Sequence, residues 1–413
     1  MSMVTVSSSK DDINKVNTII ARDERLLKSA LIFGANASGK SNLIKSIFLM
    51  KNIVLNSMQN IDGKILKTIV PFLLDQNNLK KPSEMEVIFY NEEIKYRYGF
   101  SIMNGGIVEE WLYYTPTTRE TMLFERNNFS IEYNKASFKE ASLFVKNGNI
   151  DKTREDVPFI SVLAGFDGEH SKRVVNWFGK ISVLSGIDEN KFSGITHELL
   201  SESEDFKIWL KKILSSFQIN DVFLDEITPE FPFGNIKTED DNIKNLFNSL
   251  NIYAKSKKIF SINIVKKTIN GDEITVPIDF ESAGTKKIIY LLGPIYNAIK
   301  NGTILVIDEM DSKFHTLLSR FLFKMFHSQD ESGSQIIAAV QDVNLMATEC
   351  FRRDQIWFVD KNIYGSSQLY SLVEYKEKQR VLKDSYGQDY LKGAFSAIPL
   401  FDDIKQIQNL MPE

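Results

Sequence analysis

Gly34-Ala-Asn-Ala-Ser-Gly39-Lys40-Ser41 follows the pattern G-x-x-x-x-G-K-S in full, and the residues on either side supply the setting that pattern requires. Residues 26–33, Leu-Leu-Lys-Ser-Ala-Leu-Ile-Phe, read as one buried strand. Lys40 to Leu55 reads as a helix, because Leu43, Ile47, Met50 and Val54 fall three or four apart on one face. The spacing has a chemical reason. Glycines let successive backbone N–H groups turn toward a phosphate, and the helix that follows points its positive end at the same place. Gly34, Asn36, Ala37, Ser38, Gly39, Lys40, Ser41 and Asn42 are then the cradle residues. Lys40 would reach the outer phosphates, and the Ser41 hydroxyl would ligate Mg²⁺. A structural glycine turn is the competing reading, and the flanking strand and helix weigh against it.

A second segment completes the first. Thr303-Ile-Leu-Val-Ile-Asp308-Glu309 is an apolar strand that carries two carboxylates at its C-terminal edge, where α/β sheets hold ligands. Asp308 would hold Mg²⁺, and Glu309 would polarise an attacking water as general base. Alone, an Asp-Glu pair after a strand also fits an acidic helix start. Gln335–Val340 and Gln355–Val359 are further apolar strands, and helix-like stretches separate them, so the C-terminal third reads as α/β.

A third segment, Glu281-Ser282-Ala283-Gly284-Thr285-Lys286-Lys287, opens a predicted helix from Thr285 to Lys300. A hydroxyl and exposed N–H groups at a helix start can take an anion, or can simply cap the helix. Taken alone, the segment does not separate the two.

More than half of the chain lies between Lys40 and Asp308. Met85–Tyr90, Ile94–Ile102, Glu109–Tyr114 and Thr121–Phe129 read as short strands of an antiparallel sheet, with a turn at Gly105-Gly106. Residues 135–255 are richer in charge and in helical stretches, clearest at Lys172–Leu184, Glu204–Phe217 and Asn242–Ala254. Their acidic runs and the basic pairs Lys172-Arg173 and Lys211-Lys212 read as solvated helix faces. Trp177 reads as packing, and Ile259–Lys267 as a strand. The expected division is therefore 1–134, 135–255 as a helical insertion, and 256–413.

Composition narrows the classes. With 50 basic and 54 acidic residues the net charge is −4, so whole-chain charge gives no support to nucleic-acid binding. Cys350 is the one cysteine, which rules out an internal disulfide, a Cys-rich zinc site and a Cys-x-x-Cys hook. No signal-peptide core and no apolar run of about 20 residues is present, so a cytoplasmic protein without membrane segments is expected.

Together these segments resemble the RloA/AbiL-type ABC ATPases, within the wider OLD-like and SMC-like AAA group of bacterial defence systems. Gly34–Leu43, 281–287, 303–309, Asp311-Ser312 with His315, Arg353-Asp-Gln-Ile-Trp-Phe358 and Tyr390-Leu-x-Gly-x-Phe-x-Ala-Ile-Pro399 carry the likeness, which covers nearly the whole chain. It implies an α/β ABC-type P-loop ATPase head with a mixed sheet, an antiparallel β-subdomain and an inserted helical subdomain. It implies ATP and Mg²⁺ as ligands, and catalysis by Glu309, Lys40 and the switch residue. It implies a homodimer or larger homo-oligomer in which Ser282, Ala283, Gly284 and Thr285 complete a neighbour's site as a signature motif. Asp311 matches the D-loop that reaches across such a dimer, and His315 matches a common histidine with either a phosphate or a helix-start role. A separately encoded TOPRIM-type nuclease would be the effector, in an anti-phage or abortive-infection system; DNA is a further candidate partner.

Two departures matter. The family has histidine where this chain has Gln341, which can donate a hydrogen bond to phosphate but cannot carry charge or relay a proton, so slow hydrolysis is expected. The Asn-Phe-x-Ser-Phe-like opening that frames the base is missing from residues 1–25. Gln76 is the candidate Q-loop residue, or an ordinary loop glutamine. A transporter ATPase would lack this large insertion. An SMC-like repair protein would need a long coiled coil. An OLD-type nuclease would need a TOPRIM domain that residues 310–413 do not supply. A non-hydrolysing ATP-binding scaffold is the alternative from another class: Gln341 favours it and Glu309 opposes it.

Overall fold

The computed structural model describes residues 1–6, 16–60, 63–187, 193–227, 259–329, 332–347, 350–375 and 386–398. The expected helix Asn242–Ala254 and the acidic run 239–241 lie outside the described residues. The chain forms two compact units, Met1–Leu184 with Ala298–Glu413, and Ser185–Asn297.

The first unit opens with a hairpin, β1 (Thr18–Ala21) and β2 (Glu24–Leu27), followed by β3 (Ser29–Phe33). The single strand read at 26–33 is thus two strands in different sheets. β2 pairs antiparallel with β1, whereas β3 lies between two parallel partners. The break falls at Lys28, whose ammonium is buried and donates to the His327 carbonyl at 2.8 Å. Helix α1 (Lys40–Asn56) follows, burying Ile44, Met50, Ile53 and Val54, while Leu43 and Ile47 are half-buried.

Strands β4 (Ser83–Asn91), β5 (Ile94–Met103), β6 (Gly106–Thr115), β7 (Thr121–Asn127) and β8 (Ser130–Tyr133) form an antiparallel meander. Two-residue strands β9 (Val145–Lys146) and β10 (Asn149–Ile150) extend it to seven. The β5–β6 turn sits at Asn104-Gly105, one residue earlier than expected, and both residues have positive φ, 53° and 79°. That is the mirror-image turn whose twist matches a hairpin.

Helices α2 (Phe159–Gly165) and α3 (Glu169–Gly179) pack on this meander. Phe138, Phe159 and Phe178 enter the same core as Tyr96, Tyr98 and Phe124. Residues 135–184 thus bury aromatics in the first compact unit. Trp177 stacks on Phe89, with ring centroids 4.0 Å apart. The helix read at Lys172–Leu184 stops at Gly179, and Ile181–Ser185 is strand β11. An apolar run rich in β-branched residues suits both elements by periodicity alone, and the sheet edge decides it.

The second unit holds α4 (Ser193–Glu202), α5 (Glu204–Leu214), the antiparallel sheet of β12 (Asp221–Ile227), β13 (Ile259–Lys267) and β14 (Glu273–Pro277), and most of α6 (Ala283–Asn301). This unit is thus helical with a small sheet. Thr196 Oγ1 donates to the Tyr290 carbonyl at 2.6 Å, and a Cβ at Gly293 would lie 2.2 Å from that hydroxyl, so α4 and α6 pack closely.

Strands β15 (Ile304–Asp308), β16 (Gln335–Ala339), β17 (Ile356–Lys361) and β18 (Ser367–Ser371), with helix α7 (Thr316–Gln329), complete the first unit. The main sheet has the order β11-β15-β16-β3-β17-β18. β15, β16, β3 and β17 run parallel, and β18 returns antiparallel. The expected architecture holds: α/β, with a mixed sheet, an antiparallel subdomain and an inserted unit of helices with a small sheet.

His327 on α7 is 3% exposed and shares a 2.9 Å hydrogen bond with the Ser29 hydroxyl. Burial, with Lys28 nearby, pulls its pKa from 6.5 down to about 3. The neutral ring is therefore kept in the fold while the unfolded chain takes up a proton. Stability is full above about pH 6.5 and is lost as pH falls toward about 3, at about 1.4 kcal/mol per pH unit for this group. Urea midpoints at pH 7 and pH 5 should separate less in His327→Gln than in wild type; equal separation would remove His327 from the acid response.

Candidate nucleotide site

The parallel sheet explains how residues far apart in sequence converge. β3 delivers residues 34–39 at its C-terminal end, and β15, one strand beyond β16, delivers Asp308 and Glu309 at the same edge. Lys40 begins α1 and is buried. Burial lowers its pKa, and the negative charges of Asp308, Glu309 and Asp311 counter that pull. Its Nζ folds over the loop, donating to the Gly34 carbonyl at 2.6 Å and to the Ala35 carbonyl at 3.2 Å.

The loop's glycines are required by its geometry. Gly34 has φ 155°, and a Cβ there would lie 2.4 Å from the Val359 carbonyl oxygen. Gly39 has φ 117°, and its Cβ would lie 2.7 Å from the Ser367 hydroxyl. Ala37 sits in the left-handed region at φ 62°. No side chain caps α1, and no acidic residue occupies its first turn, so its positive end is left to an anion. Gly34→Ala should lower nucleotide affinity by at least about tenfold, since the clash is with backbone; binding of a fluorescent ATP analogue checks this, and wild-type affinity would count against it.

Asp308 Oδ1 is buried with no hydrogen-bond partner, as are Ser38 Oγ and Asp311 Oδ1. Such orphaned oxygens at one sheet edge fit a hard cation held by Ser41 and Asp308 together with phosphate oxygens. Ser41 is half-buried, and Asn36, Ala37 and Asn42 are exposed around the loop. Glu309 has φ 51°, a left-handed conformation that costs a non-glycine residue about 1–2 kcal/mol. The turn is held by the Met310 N–H, which donates to the Ala339 carbonyl at 3.0 Å.

Within the single chain, Asp311 is bonded to the switch segment. Its carboxylate is 7% exposed and turned onto its own chain: Oδ2 accepts from the N–H of Gln341 at 2.7 Å and of Asp342 at 2.6 Å. The Gln341 side chain is exposed. Asp342 then accepts from Thr316 Oγ1 at 2.5 Å, tying the switch segment to the start of α7. His315 Nδ1 accepts from the Leu317 N–H at 3.2 Å, the helix-start role.

Ser282 to Thr285 lie in the second unit, at the exposed start of α6. Ser282 Oγ accepts from the Thr285 N–H at 3.1 Å and shares a 2.9 Å bond with its hydroxyl, which is the geometry of an N-cap. Arg353–Phe358 and the closing segment serve structure. Gln355 is fully buried and bonds the Ser29 hydroxyl at 2.7 Å and Asn17 at 2.8 Å. Tyr390 stacks on Phe358 and donates to the Ala397 carbonyl at 2.8 Å. Pro399 lies outside the described residues. The sequence reading missed Val359 and Ser367, which touch the loop from β17 and β18; nothing in their local sequence signals that contact.

With this geometry in place, the chain matches over residues 29–347 the family model described as "AAA domain, putative AbiEii toxin, Type IV TA system". The chain belongs to that AAA family. It is accordingly an ATP-binding ATPase of the AAA/ABC type. No curated protein matches it. Solved structures similar to this AAA-family chain include an SmcHead bound to the C-winged helix domain of ScpA, at 16% identity over 84% of this chain and 92% of that one, with a TM-score of 0.45. The SMC head domain from Thermotoga maritima is similar at 13% identity, over 84% and 92%, with a TM-score of 0.39. An Smc head domain with an extended coiled coil, bound to the C-terminal domain of ScpA and derived from Pyrococcus furiosus, is similar at 13% identity, over 85% and 92%, with a TM-score of 0.32. Among the described residues, no helix is long and apolar enough to cross a membrane, and no group of three or more His, Cys, Asp or Glu side chains could hold a metal by itself.

Proposed function

We propose that the protein is an ATP-driven switch of the RloA/AbiL type, which controls a separately encoded effector in an abortive-infection or related anti-phage system. The observation that carries this reading is that β3 and β15 end at the same edge of the parallel sheet, bringing the loop at 34–41 and the pair Asp308-Glu309 to one place. Lys40 holds the outer phosphates, while Ser41 and Asp308 hold Mg²⁺, which neutralises phosphate charge when bound. Glu309 accepts the proton of the attacking water. Gln341, whose side chain is exposed, offers a hydrogen bond in place of the family's histidine, and turnover is slow in consequence. Ser282–Thr285 of a second copy closes the site, so the active form is a homodimer or a larger homo-oligomer. The family's description as a putative AbiEii toxin of a type IV TA system supports a defence context, and a TOPRIM-type nuclease in the cytoplasm is the effector that fits it.

The test pairs assembly with phenotype. Mass by light scattering should rise with ATP and Mg²⁺, and phage plating should fall only when both this gene and its effector gene are present. An unchanged mass and unchanged plating would remove the switch reading. Tight ATP binding without turnover would favour the second reading, a non-hydrolysing scaffold, which Gln341 motivates.

A further inference from the structure

We infer that Ser367, on β18, is a positioning residue for the phosphate loop, and that its hydroxyl sets the direction of a backbone N–H that receives phosphate. The inference rests on the nucleotide reading above. Ser367 Oγ donates to the Ser38 carbonyl at 2.6 Å. A trans peptide is planar, so its C=O and the following N–H point opposite ways. Holding the Ser38 carbonyl outward, onto β18, therefore turns the Gly39 N–H inward, into the concave side of the loop. That N–H belongs to the anion nest the motif builds.

Three contacts show that this bond is part of a built support. Gly39 leaves room for the Ser367 hydroxyl: a Cβ there would lie 2.7 Å from Oγ and 3.2 Å from the Ser367 Cβ. Val359, on the paired strand β17, places its carbonyl oxygen where a Gly34 Cβ would lie 2.4 Å away. The β17–β18 ladder sets Lys361 opposite Ser367 and Val359 opposite Leu369, so one hairpin supports both ends of the loop, Gly34 and Gly39. On the other flank of β3 lie β16 and β15 with the acidic residues. The loop is thus held between a catalytic side and a supporting side, and Ser367 supplies the supporting side's side-chain hydrogen bond to it. The Ser38 hydroxyl, buried without a partner beside Gly34, shows that the loop's own side chain does not take over this task.

The experiment compares wild type, Ser367→Ala, Ser367→Thr and the hairpin control Ser366→Ala. For each, the Kd of a fluorescent ATP analogue with Mg²⁺, the KM and kcat for ATP, and the melting temperature without nucleotide are measured. Ser367→Ala should raise Kd and KM about tenfold, the loss expected of one well-formed hydrogen bond to a preorganised loop, with kcat within about twofold and the melting temperature near wild type. Ser367→Thr keeps the hydroxyl and should recover most of the affinity, and Ser366→Ala should bind as wild type. Wild-type Kd and KM in Ser367→Ala would overturn the inference while leaving the nucleotide reading intact. A fall in affinity matched by Ser366→Ala, or by a large drop in melting temperature, would reduce Ser367 to a fold-stabilising residue. Failure of wild type itself to bind the analogue would overturn both readings.

Discussion

Glu309→Gln is expected to lower ATP turnover by about two to three orders of magnitude at saturating ATP, with nucleotide affinity equal to or tighter than wild type. Glutamine keeps the size of glutamate and accepts the left-handed backbone at φ 51° about as well, so the turn after β15 should survive. It cannot accept a proton, which removes the group proposed to activate water. It also removes one of the negative charges that act on Lys40, which lessens repulsion with the triphosphate. Asp308 and Ser41, the proposed Mg²⁺ ligands, are unchanged. The variant should therefore trap the ATP-bound assembly, seen as a longer-lived higher mass. Turnover equal to wild type would mean that Glu309 is not the base; with wild-type turnover near background as well, the scaffold reading would stand.

Glu110→Ala is expected to destabilise the first unit by about 3–5 kcal/mol, read as a lower urea midpoint at unchanged slope. Glu110 and Arg126 are both fully buried, with Nη1 to Oε2 at 3.2 Å. The carboxylate also accepts from Tyr98 Oη at 3.1 Å, from the Phe159 N–H at 2.7 Å and from the Ile160 N–H at 3.1 Å. It therefore joins β5 and β6 to the start of α2 and satisfies donors that a helix leaves open. Removing it strands the Arg126 guanidinium, whose Nη2 already lacks a partner, together with two buried backbone N–H groups. An apolar pair, Glu110→Met with Arg126→Met, should recover much of the loss, because burying no charge costs less than burying one unpaired. A cost below about 1 kcal/mol for Glu110→Ala would show that solvent reaches the pair.

Local pattern revealed those parts whose chemistry is local. The glycine loop, α1 and the strand before Asp308-Glu309 were legible because backbone nests, helix periodicity and doubly buried strands each leave a signature within a few residues. The strand at 181–185 was misread as helix because a short apolar run carries no period of its own, and only the free edge beside β15 makes it a strand. The expected division at 134 was drawn from composition alone. A charged, helical stretch looks detached in composition, yet Phe138, Phe159 and Phe178 bury in the meander's core.

By itself, the sequence determined that this chain has a phosphate loop, a pair of acidic residues ending a buried strand, and an α/β C-terminal third, since each follows from residue types at fixed short spacing. Only the tertiary structure decided that Asp311 holds the switch backbone of its own chain, that Glu110 and Arg126 pair in the core, and that Val359 and Ser367 support the loop at Gly34 and Gly39. Those facts depend on which strands become neighbours. Strand order is fixed by packing over the whole sheet, and no short stretch of sequence encodes it.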